Sequence, residues 1–103
     1  MVTTWPVLTE ATYLLADAGG WPAQTALWQM LDRGALQVVD LEDTEIARSR
    51  TLMEKYGDTP MDFADATLVA IAEARGLKRV FTLDSDFSVY RIRGRERFEL
   101  IPG

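Results

Sequence analysis

Asp62-Phe63-Ala64-Asp65-Ala66 opens an almost uncharged apolar stretch, and Val80-Phe81-Thr82-Leu83 runs directly into Asp84-Ser85-Asp86-Phe87. A buried-looking helix and a buried-looking strand therefore each carry carboxylates at one end, where they can share a metal ion. The rest of the inventory narrows the chemistry, because the chain contains no histidine and no cysteine. A Ser-His-Asp or Cys-His nucleophile cannot be assembled without its base, and a structural zinc site has no nitrogen or sulfur ligands. Any chemistry falls mainly to carboxylates, whose clusters favour hard, oxygen-seeking ions such as Mg²⁺ or Mn²⁺.

Each acid also has a purely structural reading. Asp62 and Asp65 are three apart at a helix start, so Asp62 as N-cap and Asp65 at the third helical position would satisfy unpaired amides and suit the helix dipole. That reading is the stronger one for Asp62. Asp65 differs, since Ala66, Leu68, Val69 and Ala72 follow it and an unpaired carboxylate beside that face is costly. Asp84-Ser85-Asp86 could be a turn closed by aspartate side chains, and Glu10 an exposed flank residue.

The elements that would position these groups follow from periodicity and punctuation. Thr3 or Thr4 can cap a helix bearing Val7, Leu8, Ala11, Leu14, Leu15 and Ala18 on one face, with Glu10 on its flank, ending at Gly19-Gly20. Pro22 suits the first turn of a second helix, stopped by Gly34. Leu36 to Val39 reads as a short strand, and about Asp43 to Tyr56 as a helix with Ile46, Arg50, Met53 and Tyr56 along one stripe. Asp62 to Arg75 is apolar nearly all round, the pattern of a helix packed on more than one side, and Gly76 ends it. Arg79 to Leu83 and Phe98 to Ile101 read as strands. This order predicts an α/β architecture with a small, largely parallel sheet, whose sites form at the carboxyl ends of the strands. Trp5, Trp21 and Trp28, at helix starts and on helical faces, are read as packing residues rather than base-stacking platforms.

At 103 residues, 48% of them hydrophobic, the chain fits one domain with a modest core. No run approaches the roughly 20 apolar residues that span a bilayer, and no secretory signal pattern opens the chain, so a cytoplasmic protein with no membrane partner is expected. The net charge of −5 argues against whole-surface attraction to nucleic acid. Against that background Arg91, Arg93, Arg95 and Arg97 alternate in one short segment, interrupted at Gly94. Read as a strand, they form either a solvated edge that discourages aggregation or a set of phosphate contacts.

Three segments together resemble the PIN-domain family, which includes the VapC-type toxin ribonucleases: Thr4-Trp5-Pro6-Val7-Leu8-Thr9-Glu10-Ala11, Asp62-Phe63-Ala64-Asp65-Ala66 and Thr82-Leu83-Asp84-Ser85-Asp86-Phe87. The resemblance covers nearly the whole chain and implies a three-layer PIN-like fold. By it, Glu10, Asp65 and Asp84 are the catalytic, metal-binding acids, Asp86 an accessory metal ligand, and Asp62 and Thr82 supporting residues. It implies an Mg²⁺- or Mn²⁺-dependent endoribonuclease, with Arg91, Arg93 and Arg95 as candidate RNA phosphate contacts. Metal ions held by the carboxylates would activate a water and neutralise charge on the leaving oxygen. An antitoxin protein and a second copy of the chain are the partners such a toxin would have.

The chain departs from the family pattern at its start. PIN domains normally open with a strand carrying an aspartate in an Asp-Thr/Ser context, whereas here Met1-Val2-Thr3-Thr4 leads directly into the glutamate helix. An N-terminally truncated, single incomplete domain over 1–103 is therefore expected, with three core carboxylates rather than four. Loss of a central strand would leave backbone groups unpaired. A strand-supplying partner, strand exchange between copies, or direct pairing of the remaining strands could close the gap. The alternative to an enzyme is a non-catalytic PIN-like module that binds a protein or RNA. A receiver-type phosphotransfer domain fits less well, having no evident strand-borne lysine near the chain's end and its acids in the wrong order.

Overall fold

The computed structural model describes residues 1–58 and 61–83 in full, and the backbone alone of 91–92, 96–97 and 99–101. Strand β1 (Val2–Thr4) leads without a loop into α1 (Trp5–Asp32), followed by β2 (Gln37–Val39), α2 (Asp43–Lys55), α3 (Phe63–Arg75) and β3 (Arg79–Phe81). Three further short strands are β4 (Arg91–Ile92), β5 (Glu96–Arg97) and β6 (Glu99–Ile101). The main sheet has the order β2-β1-β3-β6 and its pairings are all parallel. The expected α/β architecture is present.

Alternation along the strands divides the core in two, as the pleat requires. Val80, with Val2 and Val39 beside it, joins Leu52, Leu68, Val69 and Ile71 on the face covered by α2 and α3. Phe81, with Met1 and Val38 beside it, joins Leu8, Ala11, Leu27 and Leu36 on the face covered by α1. Three layers result, with the sheet between the α2–α3 pair and α1.

The opening residues depart from expectation. Val2–Thr4 is itself a strand, and it lies between β2 and β3. None of the three expected ways of closing a gap is needed, because the opening residues themselves take the central place and β2 and β3 do not pair with each other. The β1–β2 ladder carries three residue pairs, Val2↔Gln37, Thr3↔Val38 and Thr4↔Val39, whereas β1 meets β3 only at Val2↔Val80. A side chain extends that thin junction: the Thr3 hydroxyl donates to the Phe81 carbonyl at 3.1 Å, taking the place a backbone amide would hold.

Thr4 does occupy the N-cap position of α1, but its side chain makes no capping bond. The break at Gly19-Gly20 is borne out, since Gly20 has φ 66 and ψ −156 inside α1, a backbone state that needs glycine. Of the stripe expected on α2, Tyr56 packs against the core, and the rest is displaced by one position. Glu45, Ser49 and Leu52 face inward, while Ile46, Arg50 and Met53 face solvent. Two polar residues can hold those inward places because each has a partner: Arg75 for Glu45, and the Glu45 carbonyl for the Ser49 hydroxyl at 2.8 Å. The arginine-rich segment is not one strand either. β4 and β5 form an antiparallel pair in which Arg91 lies opposite Arg97, and 93–95 lie outside the described residues.

Candidate functional site

Because α3 runs into β3 and β1 runs into α1, the carboxyl ends of the central strands, the first turns of α1 and the N-terminus of α3 converge. A narrow, tight cleft lies there, lined by Val7, Glu10, Ala11, Leu14, Ala64, Asp65, Thr82 and Leu83. Glu10 and Ala11 come from the second turn of α1, Ala64 and Asp65 from the first turn of α3, and Thr82 and Leu83 from the chain leaving β3. Glu10, Asp65 and Thr82, far apart in sequence, therefore border one space.

The first turn of α3 is fixed by a reciprocal cap. Asp62 Oδ1 accepts from the Asp65 amide at 2.9 Å, and Asp65 Oδ2 accepts from the Asp62 amide at 3.3 Å. The structural reading of Asp62 is thus correct, and the cap locks the turn that carries Asp65. Asp65 belongs to the cap and lines the cleft, with only 3% of its surface exposed.

Behind the cleft, two buried hydroxyls tie α3 to the sheet. The Thr67 hydroxyl donates to the Ala64 carbonyl at 2.7 Å, so its proton is committed. The 2.8 Å contact between Thr4 Oγ1 and Thr67 Oγ1 must then have Thr4 as donor. The chain Thr4, Thr67, Ala64 joins the end of β1 to the turn holding Asp65. Spacing alone gave no sign of it, because the partners are 63 residues apart. Thr67→Val would leave the Thr4 hydroxyl buried without its acceptor, at an expected cost of about 1–2 kcal/mol in urea unfolding. Adding Thr4→Val should cost less than the sum of the two single changes, because both ends of one bond are then removed.

The donor set suits a hard divalent cation: carboxylate oxygens from Glu10 and Asp65 beside the Thr82 hydroxyl, in a chain with no imidazole or thiol. Among the described residues no group of three acids gathers closely enough to hold a metal ion. Asp84 and Asp86 lie outside the described residues, as do Arg93 and Arg95, and only the backbone of Arg91 is described. Asp84 is joined by one peptide bond to Leu83 in the cleft wall.

Packing of the tryptophans is not what the structure shows. Trp5, Trp21 and Trp28 are 54%, 65% and 43% exposed. Trp5 alone of the three stands at the end of β1, where its indole N–H donates to Asp40 Oδ1 at 2.8 Å. Among the described residues no helix is long and apolar enough to cross a membrane.

The comparisons with known proteins bear on the family and the fold. The PIN domain family model matches residues 1–92. Ribonuclease VapC26 of Mycobacterium tuberculosis (strain ATCC 25618 / H37Rv) is 33% identical over 97 residues, a match covering 93% of this chain and 72% of the relative. The crystal structure of Mycobacterium tuberculosis VapC20, a Sarcin-Ricin loop cleaving toxin, superposes with a TM-score of 0.68 at 23% identity. That match covers 84% of this chain and 67% of VapC20, and it speaks for the fold.

Proposed function

The chain belongs to the PIN-domain family, on its VapC-type side, and from that premise we propose that it is a metal-dependent endoribonuclease, the toxin of a toxin–antitoxin pair. The observation that carries this reading is the meeting of Glu10 and Asp65 in one cleft beside Thr82 and Leu83. Glu10, Asp65 and Asp84 would hold Mg²⁺ or Mn²⁺, with Asp86 next to them. When bound, such an ion supplies Lewis acidity at the scissile phosphate and lowers the pKa of a coordinated water.

The chain's own residues do the rest. The Asp62–Asp65 cap and the Thr4–Thr67 bond hold one carboxylate in place on α3, while α1 presents the other. Val7, Ala11, Leu14 and Leu83 give the cleft apolar walls, which limit water and strengthen electrostatic contacts inside. Arg91, Arg93 and Arg95 are candidates for binding RNA phosphate. An antitoxin protein and a second copy of this chain complete the proposal, which places the protein in the cytoplasm.

One observation favours a second reading, a binding module without catalysis. β1 ends in Thr3 and Thr4, whose hydroxyls are engaged by Phe81 and Thr67, so this central strand brings no carboxylate to the cleft. Incubation of a mixed-sequence labelled RNA with the folded protein and Mn²⁺, against the same reaction in EDTA, separates the two. Cleavage with metal and none with chelator is expected. Intact RNA in both reactions would exclude the enzyme and leave the binding module.

A further inference from the structure

We propose that Asp40 is a positioning residue for the carboxylate cleft: it ties the first residue of α1 to the end of α3 and so fixes how far Glu10 stands from Asp65. The inference rests on the ribonuclease reading and adds to it a residue outside the cleft wall. Asp40 directly follows β2 and is held from two sides. Its Oδ1 accepts the Trp5 indole N–H at 2.8 Å, and its carbonyl accepts from an Arg75 terminal nitrogen at 2.6 Å. Arg75 is gripped in turn by both carboxylate oxygens of Glu45, so the arm that reaches Asp40 is itself fixed.

Two ties therefore run from the start of α1 to separated points on α3. Thr4 meets Thr67 directly, and Trp5 meets Arg75 through Asp40. Thr67 and Arg75 lie about 12 Å apart along their helix. One tie is a pivot, whereas two so separated set an angle. Val7, Leu8 and Ala11 press α1 against the core, but apolar contact is non-directional and resists rotation less than it resists separation. Glu10 sits about 7.5 Å along α1 from Trp5, so a tilt of about 5° at that end displaces it by about 0.7 Å. Ligand distances in a metal site hold to within about 0.2 Å. The Trp5–Asp40 bond itself lies at the surface, with Trp5 54% exposed, so its loss costs little folding energy and positioning can be read apart from stability.

The test measures Mn²⁺ binding to the full chain through the electron paramagnetic resonance signal of the free ion, with no RNA present. Asp65→Asn marks the binding that belongs to the cleft. Trp5→Phe, which keeps a ring and loses the N–H, and Asp40→Ala should each raise the Mn²⁺ Kd roughly 10-fold, the lower end of the loss when an orienting partner outside the ligand shell is removed. Asp40→Asn keeps the acceptor oxygen and should bind Mn²⁺ as the wild type does. Trp5→Phe combined with Asp40→Ala should bind no more weakly than Asp40→Ala, since both remove one bond. In cleavage assays the Mn²⁺ needed for half-maximal rate should rise by the same factor while the KM for RNA holds, and urea midpoints should stay near the wild type.

A wild-type Kd in folded Trp5→Phe overturns the inference. So does an Asp40→Asn protein that binds as poorly as Asp40→Ala, which would make the charge of Asp40 the cause rather than its bond. A raised KM for RNA with an unchanged Mn²⁺ Kd also overturns it and makes Trp5 an RNA contact. In each of these cases the wild type still binds Mn²⁺ and cleaves, so the ribonuclease reading stands. A folded wild type that takes up no Mn²⁺ at the cleft removes the metal-dependent reading and this inference together.

Discussion

Arg75→Ala is expected to lower stability by about 2–3 kcal/mol, because it strands a carboxylate that the fold has buried. The Glu45 side chain is 4% exposed. Arg75 grips it with two bonds, Nε to Oε2 at 2.9 Å and a terminal nitrogen to Oε1 at 2.8 Å, and reaches the Asp40 carbonyl at 2.6 Å. Glu45 Oε1 also accepts from the Glu42 amide at 2.8 Å, closing the cap of α2. One guanidinium thus joins the end of α3, the start of α2 and the segment after β2. Arg75 is itself about a third exposed, so water can partly replace it, which keeps the expected loss toward the low end for a broken buried pair. The Arg48–Glu73 pair, at 2.9 Å with Arg48 39% exposed, should contribute well under about 1 kcal/mol.

The pH dependence carries a sign that checks the cause. Hydrogen bonding to Arg75 holds the Glu45 carboxyl below its ordinary range, opposed by burial and aided by the Glu42 amide. The unfolded chain therefore binds a proton at Glu45 at higher pH than the folded one. The stabilisation is complete above the ordinary glutamate range and is lost as pH falls through the lowered folded value. Arg75 stays protonated throughout, its own pKa being raised by Glu45. In Arg75→Ala only the burial and the Glu42 bond remain, so most of this acid-side loss should vanish. Urea midpoints measured from pH 6 to pH 3 should show the two proteins converging in acid. A gap that stays constant or widens would mean that the ion pair is not what holds α2 to α3.

Where the sequence could be read correctly, the determinants were local. α3 is apolar nearly all round, its Asp62 cap and left-handed Gly76 stop lie within or beside it, and each behaves as the pattern predicts. The inward face of α2 depends instead on Arg75, 30 residues away, and no helical period reveals that a glutamate will be the buried member of a stripe. β1 was missed for a similar reason. Three residues, two of them threonine, form a strand because Gln37–Val39 and Val80 pair with them and Phe81 takes the Thr3 proton. The tryptophans misled because helix position alone does not distinguish a ring turned inward from one held at the surface by Asp40. Asp65 was legible through its apolar flanking residues and the family resemblance, Glu10 through the resemblance alone, and both line one cleft. The cap and the threonine bond behind them required the tertiary fold.

The Asp62 and Asp65 carboxylates give the sharpest separation of stability from chemistry, since they share one cap and differ in their place at the cleft. Asp62→Ala removes the acceptor for the Asp65 amide and should cost about 1 kcal/mol of stability. If metal-dependent cleavage survives at the temperature of assay, the loss is confined to the positioning of the turn. Asp65→Asn keeps the size of the side chain and an oxygen that can still accept from the Asp62 amide. Its penalty, mainly the lost attraction to the helix N-terminus, should stay below about 1 kcal/mol. The same change removes a full negative charge from the cleft, and RNA cleavage should fall by at least about 100-fold, the loss expected when a charged metal ligand worth several kcal/mol in the transition state is neutralised. The two substitutions should therefore order oppositely in thermal melts and in cleavage rates. If Asp65→Asn cuts RNA as fast as the wild type, Asp65 is only a cap residue, and the metal site cannot be the one that Glu10 and Asp65 border.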